Sequence, residues 1–142
     1  MPDADTALIL HLQRLSTEDG PGIRTTVFFK GCPLRCVWCQ NPEGLSFRGE
    51  IQRDLAACAG CGTCRTACPH GVAQPASLPE VREECRSCGA CVAPCPAAAR
   101  RIAGQHRSVD QLLEQLLLDE PFYRRSGGGV TLSGGEPTSF IE

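Results

Sequence analysis

Apolar and polar positions alternate loosely from Ala7 to Leu15, and a β-branched and aromatic run follows from Arg24 to Phe29. These patterns predict two strands joined by a loop. The loop, Thr17-Glu18-Asp19-Gly20-Pro21-Gly22-Ile23-Arg24, sets two glycines around a proline and has little freedom to become helix. The second strand delivers its C-terminal end to Gly31-Cys32. Further on, Ser108 opens a helix with Gln111 as its capping-box partner, and Val109, Leu112, Leu113, Leu116 and Leu117 are spaced for one buried face. Pro121 marks the expected end of that helix. Gly127 to Gly129 then read as a flexible turn, Val130 to Leu132 as a short strand, and Ser133-Gly134-Gly135-Glu136-Pro137 as a loop at that strand's C-terminal end. Strand, helix, strand in this order suggests a parallel α/β architecture, in which ligands collect beyond the carboxyl ends of the strands.

Periodicity disappears from Cys58 to Pro96, a stretch rich in Cys, Ala, Gly and Pro that reads as a small inserted module. At 142 residues the chain has the length of about one domain. Five Phe, one Trp and one Tyr give a thin conventional core, so something must supplement packing. A net charge of −2 supplies no basic footprint for a phosphate backbone, and nucleic acid is not expected as a partner. No run approaches the ~18 apolar residues that span a bilayer, and nothing near the N-terminus reads as a signal peptide, so the expected compartment is cytoplasmic. Eleven cysteines in such a setting favour metal ligation over disulfides.

Two near-identical runs carry eight of those cysteines: Cys58, Cys61, Cys64 and Cys68-Pro69, then Cys85, Cys88, Cys91 and Cys95-Pro96. This is the bacterial ferredoxin spacing, in which three thiolates wrap one iron–sulfur cube and the fourth ligates the other. Crossed wiring gives Cys58, Cys61, Cys64 and Cys95 to one 4Fe-4S cluster, and Cys68, Cys85, Cys88 and Cys91 to the second. Each cluster would staple two distant segments. A pair of zinc sites is the alternative, but triply repeated short gaps are not the usual ribbon pattern. His11, His70 and His106 are expected to be ordinary surface or packing residues.

The remaining cysteines, Cys32, Cys36 and Cys39, fall on one loop as Cys-x3-Cys-x2-Cys. Three thiolates can anchor three irons of a cube, leaving the fourth without a protein ligand. An open coordination position marks a catalytic metal site. Here the sequence resembles a known family. The Cys32–Cys39 loop is similar to the cluster loop of the radical S-adenosylmethionine (SAM) enzymes. Gly20-Pro21-Gly22-Ile23-Arg24 and Phe28-Phe29-Lys30-Gly31-Cys32 resemble the branch that activates glycyl radical enzymes. Ser133–Pro137 resembles the family's SAM-binding loop, and the eight-cysteine insert is of a kind carried by many such activases.

The resemblance implies an α/β fold that is the N-terminal part of a radical SAM partial (βα) barrel, with a ferredoxin-like module inserted. Residues 1–50 would hold the first strands and cluster loop, 51–100 the insert, and 101–142 the continued core, which stops at Glu142 before the barrel is complete and so looks like a fragment. Implied cofactors are three 4Fe-4S clusters and SAM. In this family SAM chelates the open iron through its amino and carboxylate groups. Gly134, Gly135 and Glu136 would hold its methionyl end, while Trp38, Cys39 and Gln40 border it, with Trp38 against the adenine. Many activases carry His where Gln40 stands. The implied activity is reductive cleavage of SAM to a 5′-deoxyadenosyl radical that takes hydrogen from a glycine of a partner glycyl radical enzyme. Electrons would come from a flavodoxin or ferredoxin-type reductant through the insert. Alternatives are an electron carrier with three incidental cysteines, and an inactive truncated product folded only around the two ferredoxin cubes.

Overall fold

A computed structural model describes residues 5–75 and 84–140. In chain order these form β1 (Thr6–Ser16), β2 (Arg24–Phe29), β3 (Glu50–Arg53), α1 (Thr63–Ala67), β4 (Arg100–Ala103), β5 (Gln105–Ser108), α2 (Val109–Leu117), α3 (Glu120–Ser126) and β6 (Gly129–Gly134). Single 3-10 turns lie at Pro42–Gly44 and Pro137–Phe140. The chain divides into two compact units, Met1–Arg48 with Gly104–Glu142, and Gly49–Ala103.

The first unit is a four-stranded mixed sheet in the order β5-β1-β2-β6. Only β2 and β6 run parallel, in unbroken register from Arg24 opposite Gly129 to Phe29 opposite Gly134. The all-parallel expectation is corrected by β1, which is antiparallel to both β2 and β5. The seven-residue link between β1 and β2 is short enough for a hairpin-like return, whereas the parallel crossover to β6 contains both longer helices. Register shifts interrupt β1 after Ile9 and Gln13. Leu15, in the second irregularity, takes a left-handed φ of 57° and stays half exposed.

Ile9, Val27 and Phe29 form the core of this unit, with Leu12, Leu112, Leu116, Val130 and Phe140 packed against them. The capping box at Ser108 is present: its hydroxyl accepts from the Gln111 amide at 3.2 Å, and the Gln111 side chain accepts from the Ser108 amide at 3.1 Å. The leucine face is narrower than the spacing suggested. Leu112 and Leu116 pack on the core, but Val109, Leu113 and Leu117 are 47–60% exposed. Five positions spread over a wide arc at 100° per residue, and a single sheet contact covers only the central stripe. Pro121 also departs from expectation, since it stands in the first turn of α3 rather than ending α2. A first-turn residue has no intrahelical amide bond to lose, so proline is well placed there.

Between the two helices lies Asp119, fully buried, whose carboxylate takes both Arg14 nitrogens at 2.8 and 2.5 Å and the Thr25 hydroxyl at 2.8 Å. These bonds hold its pKa below the usual carboxylate value, the Arg14 bond contributing most. This triad ties β1, β2 and the helical crossover together.

In the second unit β3 and β4 pair antiparallel, Glu50 opposite Ala103 and Arg53 opposite Arg100, and so close the base of the segment that carries the eight cysteines. Its core is Ile51, Cys64, Ala73 and Cys91, with Cys68, Cys85, Val92 and Ile102 against it. Four of these eight core residues are cysteines, which accounts for a module with almost no aromatic packing.

Candidate metal and cofactor centre

The end of β2 and the end of β6 make one place. Because the strands are parallel and in register, Gly31-Cys32 and Gly134-Gly135-Glu136 emerge side by side. Two bonds join them beyond the sheet: the Gly135 amide donates to the Phe29 carbonyl and the Glu136 amide to the Gly31 carbonyl, both at 2.8 Å. Such closeness needs glycine. A Cβ on Gly134 would stand 2.6 Å from the Phe29 nitrogen, and one on Gly135 would fall inside contact distance of the Gly31 carbonyl. The two glycines thus bring the loop against the cluster strand, a role in addition to exposing their carbonyls.

The Cys32–Cys39 loop is closed at its base. Gly31 donates to the Gly44 carbonyl at 2.7 Å and Cys32 to the Leu45 carbonyl at 3.1 Å. Lys30, wholly buried, donates its Nζ to the Glu43 carbonyl. Arg35 donates to the carbonyls of Cys32 at 2.8 Å and Leu34 at 2.7 Å, and the Cys39 amide reaches the Cys36 carbonyl at 3.1 Å. Of the three thiols Cys32 is buried, Cys39 half-buried and Cys36 exposed. Trp38 is 79% exposed, and Gln40 is exposed beside it. The Glu136 carboxylate accepts from the Thr138 amide at 3.0 Å and hydroxyl at 2.7 Å, bonds that hold it below its ordinary pKa and keep it anionic. Sequence reasoning placed Lys30 and Arg35 inside motifs but gave neither side chain a role, because a single basic residue beside a cysteine motif has no spacing signature. We expect Lys30→Met to leave the Glu43 carbonyl unsatisfied, cost about 1–3 kcal/mol, and speed hydrogen exchange at the Gly31 and Cys32 amides. Unchanged exchange there would show that Lys30 does not hold the loop base.

The Gly-Pro-Gly-Ile-Arg segment lies at the other end of the parallel pair. Arg24 donates to the Thr131 hydroxyl at 2.6 Å and the Val130 carbonyl at 2.5 Å, and Thr131 donates to the Asp19 carbonyl at 2.9 Å. The Asp19 carboxylate takes the Thr26 hydroxyl at 2.6 Å and is held low in pKa by the Ser16 and Thr26 hydroxyls. Gly22 meets Gly128 with no room for a side chain on either, and Ile23 donates to the Ser126 hydroxyl at 2.8 Å. The expected flexible turn at Gly127–Gly129 is therefore a tight contact at its centre.

In the second unit Cys58, Cys61, Cys64 and Cys95 line one partly open pocket, with Arg53, Arg100 and Thr63 among its walls. Cys64 and Cys91 are buried, with Cys68 and Cys85 packed on the same apolar cluster; Cys88 is exposed. None of the eleven cysteines is in a disulfide, and among the described residues no three His, Cys, Asp or Glu side chains are gathered tightly enough for a single metal ion. A lone tetrahedral zinc draws every sulfur to about 2.3 Å from one point; a pocket lined by four thiols is a donor set that also fits the thiolate ligation of an iron–sulfur cube. The polar surroundings fit thiolates as well. At Cys68 burial raises the pKa, but backbone amides of Ala73, His70, Val72 and Gly71 outweigh it and lower the value overall. The Thr63 hydroxyl does the same for Cys61, whereas burial pushes the Cys91 thiol up despite Arg100. Among the histidines, His11 stacks on Phe28 at 4.3 Å.

A family model described as a 4Fe-4S dicluster domain matches residues 50–96. Benzylsuccinate synthase activating enzyme of Thauera aromatica is 52% identical over 140 residues, covering 94% of this chain and 42% of the relative. Trans-4-hydroxy-L-proline dehydratase activating enzyme of Clostridioides difficile is 50% identical, covering 91% of this chain and 43% of that protein. Choline trimethylamine-lyase activating enzyme of Oleidesulfovibrio alaskensis is 46% identical, covering 92% and 44%. Over more than nine-tenths of its length the chain is similar to activating enzymes of glycyl radical enzymes. It spans less than half the length of these relatives. The described residues have a mixed α/β architecture, and residues 50–96 match a 4Fe-4S dicluster domain. No described helix is long and apolar enough to cross a membrane.

Proposed function

We propose that the protein carrying this chain activates a glycyl radical enzyme by reductive cleavage of SAM. The observation that carries the reading is the bonded pair of loops at the shared end of β2 and β6, one with Cys32, Cys36 and Cys39 and the other with Gly134, Gly135 and Glu136. Those three cysteines would hold a 4Fe-4S cluster at three irons. With SAM bound at the fourth, such a cluster would supply one electron to the sulfonium, whose C5′–S bond would break to leave methionine and a 5′-deoxyadenosyl radical able to take hydrogen from a glycine Cα. The chain's own residues orient the reactants. Glu136, fixed as an anion by Thr138, offers a carboxylate to the SAM ammonium. The backbone of Gly134 and Gly135 lines its methionyl end, and the exposed Trp38 indole presents a face for the adenine, with Cys39 and Gln40 alongside.

Two further cubes, on Cys58, Cys61, Cys64 and Cys95 and on Cys68, Cys85, Cys88 and Cys91, would bring the total to three and pass electrons from a flavodoxin or ferredoxin-type donor in the cytoplasm. The unit of Met1–Arg48 with Gly104–Glu142 would serve as radical SAM core and the unit Gly49–Ala103 as relay. The test is anoxic reconstitution of the full-length protein with iron and sulfide, followed by reduction with dithionite in the presence of SAM. Release of 5′-deoxyadenosine and methionine is expected even without the partner. An electron carrier would release neither, and that result would end the proposal.

A further inference from the structure

The antiparallel β3–β4 pair sets Arg53 directly opposite Arg100. Like charges facing one another across a ladder are destabilising, and Arg100 is only 7% exposed. A guanidinium in that position requires compensation. Its Nη2 donates to the Gln74 carbonyl, and its Nη1 lies 3.4 Å from Cys91 Sγ, a buried contact. The same side chain walls the pocket bordered by Cys58, Cys61, Cys64 and Cys95. One cation therefore touches a thiol of one cysteine set and lines the space of the other. An iron–sulfur cube with four thiolates is an anion and gains a further negative charge on reduction. Its potential depends on net charge, hydrogen bonds to sulfur and solvent exposure. A permanently charged, buried donor acts on the first two together.

We propose that Arg100 is a redox-tuning residue shared by the two cubes of the insert, raising their reduction potentials so that each accepts one electron from an external low-potential donor more readily than an uncharged neighbour would allow. The effect is larger for the cube ligated by Cys91, where the interaction is a charge-assisted hydrogen bond as well as a field. This rests on the two-cube reading of the insert.

The experiment is a spectroelectrochemical and EPR-monitored redox titration of the anoxically reconstituted full-length protein, with Cys32, Cys36 and Cys39 all replaced by Ala so that only the insert titrates. Iron analysis comes first: a parent of this series binding less than two cubes overturns the two-cube reading itself. With both cubes present, Arg100→Gln is expected to lower the reduced-to-oxidised ratio of at least one step about tenfold at fixed potential, or about 59 mV for one electron. Arg100→Lys, which keeps the charge, should restore most of that shift. Full iron with unchanged potentials in Arg100→Gln overturns the role of Arg100 while leaving the cubes in place. Should Arg100→Gln fail to take up iron, Arg100→Lys decides: loading with a potential near the parent's supports the charge, and either failure to load or a tenfold lower ratio makes Arg100 a structural brace and overturns the proposal.

Discussion

Cys36→Ala in the full-length protein is expected to reduce 5′-deoxyadenosine release to assay background and to lower bound iron from about twelve per chain to about eight. Cys36 is the exposed member of the loop triad, so its removal leaves no cavity and should cost little folding stability. The loss is then one of ligation. Two remaining thiolates cannot seat a cube with one open corner, and the groups proposed to hold SAM at this end, Glu136 and the loop backbone, have no means of reducing it. Cys61→Ala in the insert provides the contrast. It should also remove about four irons, yet retain SAM cleavage with dithionite and slow it with a flavodoxin donor. If Cys36→Ala retains wild-type release, the triad is not the reducing centre; if Cys61→Ala behaves like Cys36→Ala, the insert is not a relay.

Legibility differed between the two units for physical reasons. Cysteine spacing is a covalent constraint on how thiols can surround a metal, so it survives in a sequence with no other periodicity. The capping box at Ser108 was legible in the same way, being a local pattern with a local cause. By contrast β3, β4 and β5 are four residues each, and Arg100-Arg101-Ile102-Ala103 has no alternation strong enough to announce a strand. Those elements exist through pairing with partners far away in the chain. The direction of β1 was equally silent, because its side-chain period is the same in parallel and antiparallel ladders. The burial of Arg100 and Asp119 was hidden for a related reason: charged residues are seldom buried unless paired, and their partners Cys91, Arg14 and Thr25 lie on other elements. The Gly-Gly-Glu loop was recognisable from resemblance, but the contact that requires its glycines became evident only when β6 was placed beside β2.

The second large effect is expected from one methyl group far from any metal ligand. In Gly128→Ala the new Cβ would lie inside contact distance of the Ile23 carbonyl, which is backbone and has no rotamer by which to yield. Separating the two segments would strain the bonds from Ile23 to Ser126 and from Gly129 to Ile23. Overpacking of this kind costs about 1–3 kcal/mol, and loss of one such bond about 1 kcal/mol more. Against a total stability of about 5–15 kcal/mol, that is a large fraction. Gly127→Ala is the control. Its Cβ meets nothing within 4 Å, so the substitution pays only for the left-handed conformation at φ 69°, about 1–2 kcal/mol. Urea denaturation of the two full-length variants should therefore separate neighbouring glycines by about 2 kcal/mol; equal losses would show that the Ile23 contact is not tight. The register carries a functional consequence. β2 and β6 pair without a bulge from Arg24–Gly129 to Phe29–Gly134, and five residue steps at about 3.3 Å place the two ends roughly 17 Å apart. A strand pair displaced at Gly128 slides as a unit, so the Gly135–Phe29 and Glu136–Gly31 bonds at the far end are disturbed too. SAM affinity should fall in Gly128→Ala and hold in Gly127→Ala, which distinguishes a register effect from simple loss of folded protein.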